Sequence, residues 1–125
     1  SCFDHGVSVK TVMIYNGGHG MVRQWQSIIY KERFCAIDFT IGSPDFVKLA
    51  EAYNCVGIRA RNPSEVVPAL EKAFATPGPV IVDVWCDKWE YVFPMVPAGG
   101  ANTDMILTNP GAAAREKAAK SQTGF

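Results

Sequence analysis

The sequence predicts an α/β fold: a partial three-layer, doubly wound parallel sheet with helices on both faces, followed by an irregular carboxyl-terminal arm. Three observations carry this expectation. Residues 9–15 and 80–85 are apolar, β-branched runs of strand length. Two segments between them open with helix-start signals, Ser43-Pro44-Asp45 and Asn62-Pro63-Ser64-Glu65. Strands alternating with helical patterns are the sequence form of parallel strands joined by helical crossovers.

Taken in order, residues 1–8 read as the end of a preceding element, with Gly6 as its stop. The strand at 9–15 then enters Asn16-Gly17-Gly18-His19-Gly20. The following helix carries Met21, Val22, Trp25, Ile28 and Ile29 on one face and Arg23, Gln24, Gln26, Ser27 and Lys31 on its polar side, running to Tyr30 or Arg33. The second helix starts with Ser43 as N-cap and Pro44 at its first position. Its expected buried stripe is Phe46, Val47, Leu49, Ala50 and Tyr53, and Asn54 is its stop. A short strand at 56–60 is interrupted by Gly57. The third helix opens at Asn62 with Glu65 in a capping-box position, and Val66, Val67, Leu70, Ala73 and Phe74 line its inner face. Pro68 conflicts with that helix because it removes a donor. Thr76-Pro77-Gly78-Pro79 ends it. The run at 80–85 is nearly all apolar, as strands buried on both faces are. Residues 88–107 form an aromatic, proline-rich arm, and 108–125 a tail with a short helix at 112–120.

Composition bounds the function. With 125 residues and 48% apolar content, the chain can build one real core. Lys+Arg and Asp+Glu both number 12, so no basic field exists to attract nucleic acid or an anionic membrane. Any phosphate site is therefore local, made by backbone and a metal. Cys2, Cys35, Cys55 and Cys86 form no C-x-x-C pair, which argues against zinc and disulfides and for reduced thiols in a cytosol-like compartment. No apolar run approaches the roughly 20 residues of a membrane span, and no signal-peptide pattern opens the chain. The start at Ser1, without methionine, reads as a fragment or processed piece.

The loop at 16–20 is the candidate site. A glycine-rich turn from strand carboxyl end to helix amino terminus is where open α/β sheets bind anionic ligands. Asn16 adds a neutral oxygen, and Gly17 and Gly18 add carbonyls, which suits Mg²⁺ bridging to phosphate. The alternative is a βα turn that only reverses the chain. A dinucleotide fingerprint fits poorly, since Arg23 stands where a third glycine belongs. Met21 and Trp25 have a plain alternative of their own, as core residues of an amphipathic helix.

The segment Tyr15-Asn16-Gly17-Gly18-His19-Gly20-Met21-Val22-Arg23-Gln24-Trp25-Gln26 resembles the Asn-x-x-x-Gly-Met-Val-x-Gln-Trp signature of the acetohydroxyacid synthase (acetolactate synthase) family. The resemblance continues, in register, through Pro44-Asp45-Phe46, Thr76-Pro77-Gly78-Pro79, Phe93-Pro94-Met95-Val96-Pro97 and Gly99-Gly100, spanning roughly residues 6–107. It implies the carboxyl-terminal part of a thiamine-diphosphate-binding domain over 1–107, with 88–107 as a lid-like arm. Cofactor contacts are then expected at Asn16, Gly17, Gly18, His19, Gly20 and Met21. Mg²⁺ would be held by the Asn16 side chain and the Gly18 carbonyl, and Met21, Val22 and Trp25 would line the substrate channel. In the family the Trp also helps select the second keto acid and contacts herbicidal inhibitors.

Two departures stand out. Tyr15 replaces the first of two tandem asparagines, which bears on local packing. No Gly-Asp-Gly metal motif lies upstream in this chain, and the family's ring-activating glutamate belongs to another domain. No catalytic residue is therefore assigned here, and the chain alone is expected to be inactive. The parent reaction condenses pyruvate, with decarboxylation, onto a second 2-keto acid in branched-chain amino acid biosynthesis. FAD, where present, binds elsewhere in the full enzyme. The expected partners are the missing amino-terminal domains, a homodimer or tetramer mate and a regulatory subunit. The location expected is cytoplasmic, or an organelle in a eukaryote. The competing readings are another thiamine-diphosphate carboligase or acetyltransferase, and a non-catalytic interaction domain.

Overall fold

A computed structural model describes residues 2–39 and 41–112. Its elements are β1 (Lys10–Tyr15), α1 (Gly20–Ile28), α2 (Phe46–Ala52), β2 (Val56–Ala60), α3 (Pro63–Ala75), β3 (Val80–Trp85) and a 3₁₀ turn at Asn102–Asp104. The chain divides into two compact units: Ser1–Gly18 with Asp38–Lys88, and His19–Ile37 with Trp89–Phe125.

The first unit holds a parallel sheet in the order β1-β3-β2. The central position of β3 explains its composition: a strand with neighbours on both sides and helices on both faces has little polar surface to offer. Val80, Val82 and Val84 point to one face, where they pack with Ile58 and Ala60 of β2 against Val66, Ala69 and Ala73 of α3. Burying each such valine contributes about 1.5–3 kcal/mol. The small Ala69 and Ala73, one turn apart, let α3 lie close to the strands. Val12 and Ile14 share this face through their register with Val82 and Val84, yet both are exposed.

The opposite face belongs to α2. Gly57 interrupts β2 because a Cβ there would sit 2.8 Å from the Val47 Cα and carbonyl oxygen. Helix α2 begins two residues later than the Ser43 signal suggests. Asp45 is the N-cap, its Oδ1 accepting from the N–H of Val47 (3.0 Å) and Lys48 (3.2 Å). A carboxylate that satisfies two orphan donors outcompetes the hydroxyl before it. The helix buries only Ala50, while Leu49 and Tyr53 are exposed. Asn54 ends it with a positive φ of 56°, as the sequence suggests.

Helix α3 starts at Asn62 as expected and continues through Pro68. Pro68 and Ser64, whose carbonyl loses its partner, both lie on the exposed side, so water can serve that oxygen. The buried row runs through residues 66, 69 and 73, which turns Val67 and Phe74 outward, against the inner-face expectation. In the second unit, α1 stops at Ile28, short of Tyr30 or Arg33. Lys31 and Glu32 adopt positive φ of 52° and 59°, a conformation no helix continues through, and no glycine announces it. The arm folds back on itself through paired Met95–Ile106 main-chain bonds of 2.9 and 2.8 Å. The helix expected at 112–120 lies outside the described residues beyond Ala112.

Candidate functional site

The loop after β1 is held in a defined shape. The Tyr15 carbonyl accepts from Cys86 N–H at 2.9 Å, extending the β1–β3 ladder to the start of the loop. Asn16 Oδ1 then accepts from Gly18 N–H at 3.2 Å, closing a local side-chain turn. Gly17 is buried with φ of 73°, a conformation that strains any residue with a Cβ. Its carbonyl takes the Phe39 N–H at 2.8 Å, and Gly18 forms an antiparallel bridge with Asp38. The bonds of this bridge are made by the residues flanking Gly18: the Gly17 carbonyl accepts from Phe39 N–H, and His19 N–H donates to the Ile37 carbonyl at 3.0 Å. Gly18 therefore turns its own N–H and C=O away from Asp38. Since its N–H meets the Asn16 oxygen, its carbonyl lies on that same side.

Two oxygens two residues apart thus share one side of the loop: the Asn16 side-chain oxygen and the Gly18 carbonyl. Both are neutral, hard donors of the kind Mg²⁺ takes when phosphates complete its shell. The donor set fits the metal. No group of three or more His, Cys, Asp or Glu side chains able to hold a metal exists among the described residues. Tyr15, which stands where tandem asparagines would put the first, packs instead against Phe46 (ring centroids 5.5 Å apart) and Trp85 (6.2 Å). Its role is packing between β1, α2 and β3.

The chain passes from the first unit to the second between Gly18 and His19. Asn16, Gly17 and Gly18 belong to the first, and His19, Gly20, Met21, Val22 and Trp25 to the second. His19 is the N-cap of α1, and its carbonyl accepts from Arg23 N–H at 2.9 Å. Helix α1 is inverted relative to its apolar pattern. Arg23 and Gln24 are 4% and 3% exposed, while Met21 is 69%, Val22 41% and Trp25 48% exposed. The plain reading of Met21 and Trp25 as buried core is overturned, and so is that of Arg23 and Gln24 as a solvated side.

The reason lies in the arm. Gln24 Nε2 donates to the Val92 carbonyl at 2.8 Å and Oε1 accepts from Val92 N–H at 3.1 Å. The Arg23 guanidinium lies 5.5 Å from the centre of the Trp89 ring, which also contacts Phe34 and Tyr91. With both amide groups paired, Gln24 can be buried at little net cost, and the face of the Trp89 ring attracts the Arg23 guanidinium. Periodicity cannot reveal such pairing, because it scores Gln and Arg as surface residues.

A second polar cluster was also hidden. Asp83, 1% exposed in mid-β3, accepts on Oδ2 from Arg59 Nε at 2.8 Å and from Trp85 Nε1 at 3.2 Å. Arg59 Nη2 reaches Asp45 Oδ1 at 2.6 Å. These bonds hold the Arg59 guanidinium above its ordinary pKa and, with the Lys48 N–H, draw the Asp45 carboxyl below its own. The signal was a lone Asp in an apolar run, which requires a cation nearby.

Comparison with known proteins follows the same lines. Residues 1–84 match the family model described as thiamine pyrophosphate enzyme, C-terminal TPP binding domain. Over 109 residues the chain is 43% identical to an acetolactate synthase large subunit of Mycobacterium tuberculosis, covering 84% of this chain and 18% of the relative. Over 107 residues it is 39% identical to the acetolactate synthase large subunit of Haemophilus influenzae, covering 85% and 18%. The chain spans less than a fifth of the length of these curated relatives.

Proposed function

The chain belongs to the thiamine pyrophosphate enzymes, as their C-terminal TPP binding domain, and on that premise we propose that it serves an acetohydroxyacid synthase. In this reading it anchors the cofactor's diphosphate through Mg²⁺ and walls the entry of the second 2-keto acid. The observation that carries it is the pairing of the Asn16 Oδ1 and the Gly18 carbonyl on one side of a loop fixed by Gly17. The acetolactate synthase relatives support the choice of reaction.

Bound thiamine diphosphate would supply the electron sink that decarboxylation of a 2-keto acid requires. The chain's residues bind and orient. Asn16 and Gly18 would give Mg²⁺ two neutral oxygens, and the backbone of Gly17, His19, Gly20 and Met21 would line the diphosphate. Exposed Met21, Val22 and Trp25 offer a rigid apolar wall for discriminating among keto-acid side chains. The remaining ligands and the ring-activating carboxylate would come from the rest of the protein, active as a homodimer or tetramer with a regulatory subunit, and FAD would bind outside this chain. A reducing, cytoplasm-like compartment completes the reading, on the sequence pattern of four widely spaced cysteines without a C-x-x-C pair.

The test is calorimetry and turnover on the full-length protein. Saturable binding of thiamine diphosphate that depends on Mg²⁺, with acetolactate formed from pyruvate, is the expected result. Cofactor binding without carbon–carbon bond formation would move the protein to another branch of the family. No binding at all would leave an interaction domain.

A further inference from the structure

We propose that Gln24 is a positioning residue: its carboxamide sets the register of the 88–107 arm on α1 and thereby tunes which second keto acid is accepted. The second clause rests on the reading of Met21 and Trp25 as the channel wall. The first stands on geometry alone.

Gln24 is 3% exposed and gives both its donor and its acceptor to one residue, Val92, at 2.8 and 3.1 Å. Its Nε2 also lies 3.4 Å from the Met95 sulfur. A neighbouring strand would serve Val92 in the same way, so the side chain acts as a one-residue strand partner for a segment with no regular structure. A side chain of this length can do so only if it carries a donor and an acceptor side by side, as a neutral amide does at any pH. Glutamate when ionised only accepts, lysine only donates, and leucine does neither. An arm shifted by one residue would meet the amide with the wrong groups, and a buried unpaired polar atom costs about 1–3 kcal/mol. The clamp is therefore selective for register as well as adhesive.

Its position on the helix gives that register a consequence. Met21 lies three residues before Gln24 and Trp25 directly follows it, so one short helix carries both the exposed wall and the anchor. Arg23 over the Trp89 ring adds a second fixed point. Displacing the arm therefore acts on the helix that carries the wall, through Gln24 and Arg23.

The test uses the full-length protein with Gln24→Glu and Gln24→Leu, each compared with wild type at about pH 6 and pH 8. The partners of Gln24 are the Val92 main chain and the Met95 thioether, neither ionisable. Burial against the Val92 carbonyl raises the pKa of the introduced carboxyl. Protonated, it again offers one O–H donor and one acceptor. At pH 8, Gln24→Glu should lose protection of the Val92, Phe93 and Met95 amides against hydrogen exchange at least tenfold relative to wild type at that pH. Its KM for the second keto acid and its preference between a short and a longer one should shift severalfold, with cofactor half-saturation unchanged. Both effects should recede at pH 6, whereas Gln24→Leu should show them at either pH. Wild-type protection in Gln24→Glu at pH 8, or a loss independent of pH, overturns the clamp. A released arm with unchanged keto-acid preference overturns its role in selectivity. Exchange is read without turnover, so a protein that makes no acetolactate but releases its arm on this pH schedule refutes the proposed function and upholds the clamp.

Discussion

Arg59 and Asp83 are register partners on adjacent parallel strands, and the Arg59 Nε to Asp83 Oδ2 distance is 2.8 Å. The pair sits beneath α2, and Asp45, the cap of that helix, holds the other end of the guanidinium at 2.6 Å. One cation thus joins α2, β2 and β3. Removing it strands a carboxylate that is 1% exposed. Arg59→Ala should therefore destabilise by about 3–5 kcal/mol, the usual cost of breaking a buried pair from one side. Arg59→Met with Asp83→Leu should recover most of that loss, since apolar replacement of both partners removes the stranded charge. Denaturant midpoints of the three proteins check this. A double variant as unstable as Arg59→Ala would contradict it.

The same cluster sets an acid response. Asp45 lies below its ordinary 3.8 because of the Arg59 side chain first and the Lys48 N–H second. Glu65 lies below 4.5 through the Arg61 N–H first and the Asn62 side chain second. A carboxyl with a depressed folded pKa adds stability that is complete above the unfolded value and disappears as pH falls through the folded one. Stability should thus decline as the pH drops below about 4.5 and further below 3.8. Asp45→Asn keeps an N-cap oxygen but no charge, so its stability should fall less steeply over that range. Denaturation from about pH 3 to pH 7 measures it, and parallel curves would contradict the expectation.

For the loop, Asn16→Ala removes one neutral oxygen from the proposed Mg²⁺ shell. Losing such a ligand costs about 1.5–3 kcal/mol, or one to two orders of magnitude in half-saturation by Mg²⁺ and thiamine diphosphate. Titration of the full-length variant gives the answer, and an unchanged half-saturation would remove Asn16 from the metal.

Trp25→Leu separates wall from core. At 48% exposure the indole is not core, so melting should move by no more than about 0.5 kcal/mol. A core tryptophan would instead cost about 3–5 kcal/mol on truncation. Preference between second keto acids should change while the melting curve stays in place. A large loss of stability with unaltered preference would reverse the assignment.

What could be read from the chain beforehand divides by the kind of interaction. The strands at 56–60 and 80–85 and the start of α3 were legible because each rests on its own residues: β-branched runs, a capping Asn, a proline at the first turn. The glycine loop was legible for the same reason, since Gly17 needs its positive φ whatever surrounds it. The buried face of α1 was not legible. Its Arg23 and Gln24 are paid for by Trp89 and Val92, more than sixty positions away, and periodicity carries no information about distant partners. The start of α2 was misplaced because Ser43-Pro44 is a good local signal, while Asp45 is recruited twice, by the helix amides and by Arg59.

Gln24 grips the main chain of Val92 and ignores its side chain, which is exposed. Position 92 is therefore open to almost any amino acid so far as the clamp is concerned. Proline alone is barred, since it has no N–H to give the Gln24 oxygen. Mutational tolerance should accordingly be broad at position 92, and a saturation library there would show a single missing letter.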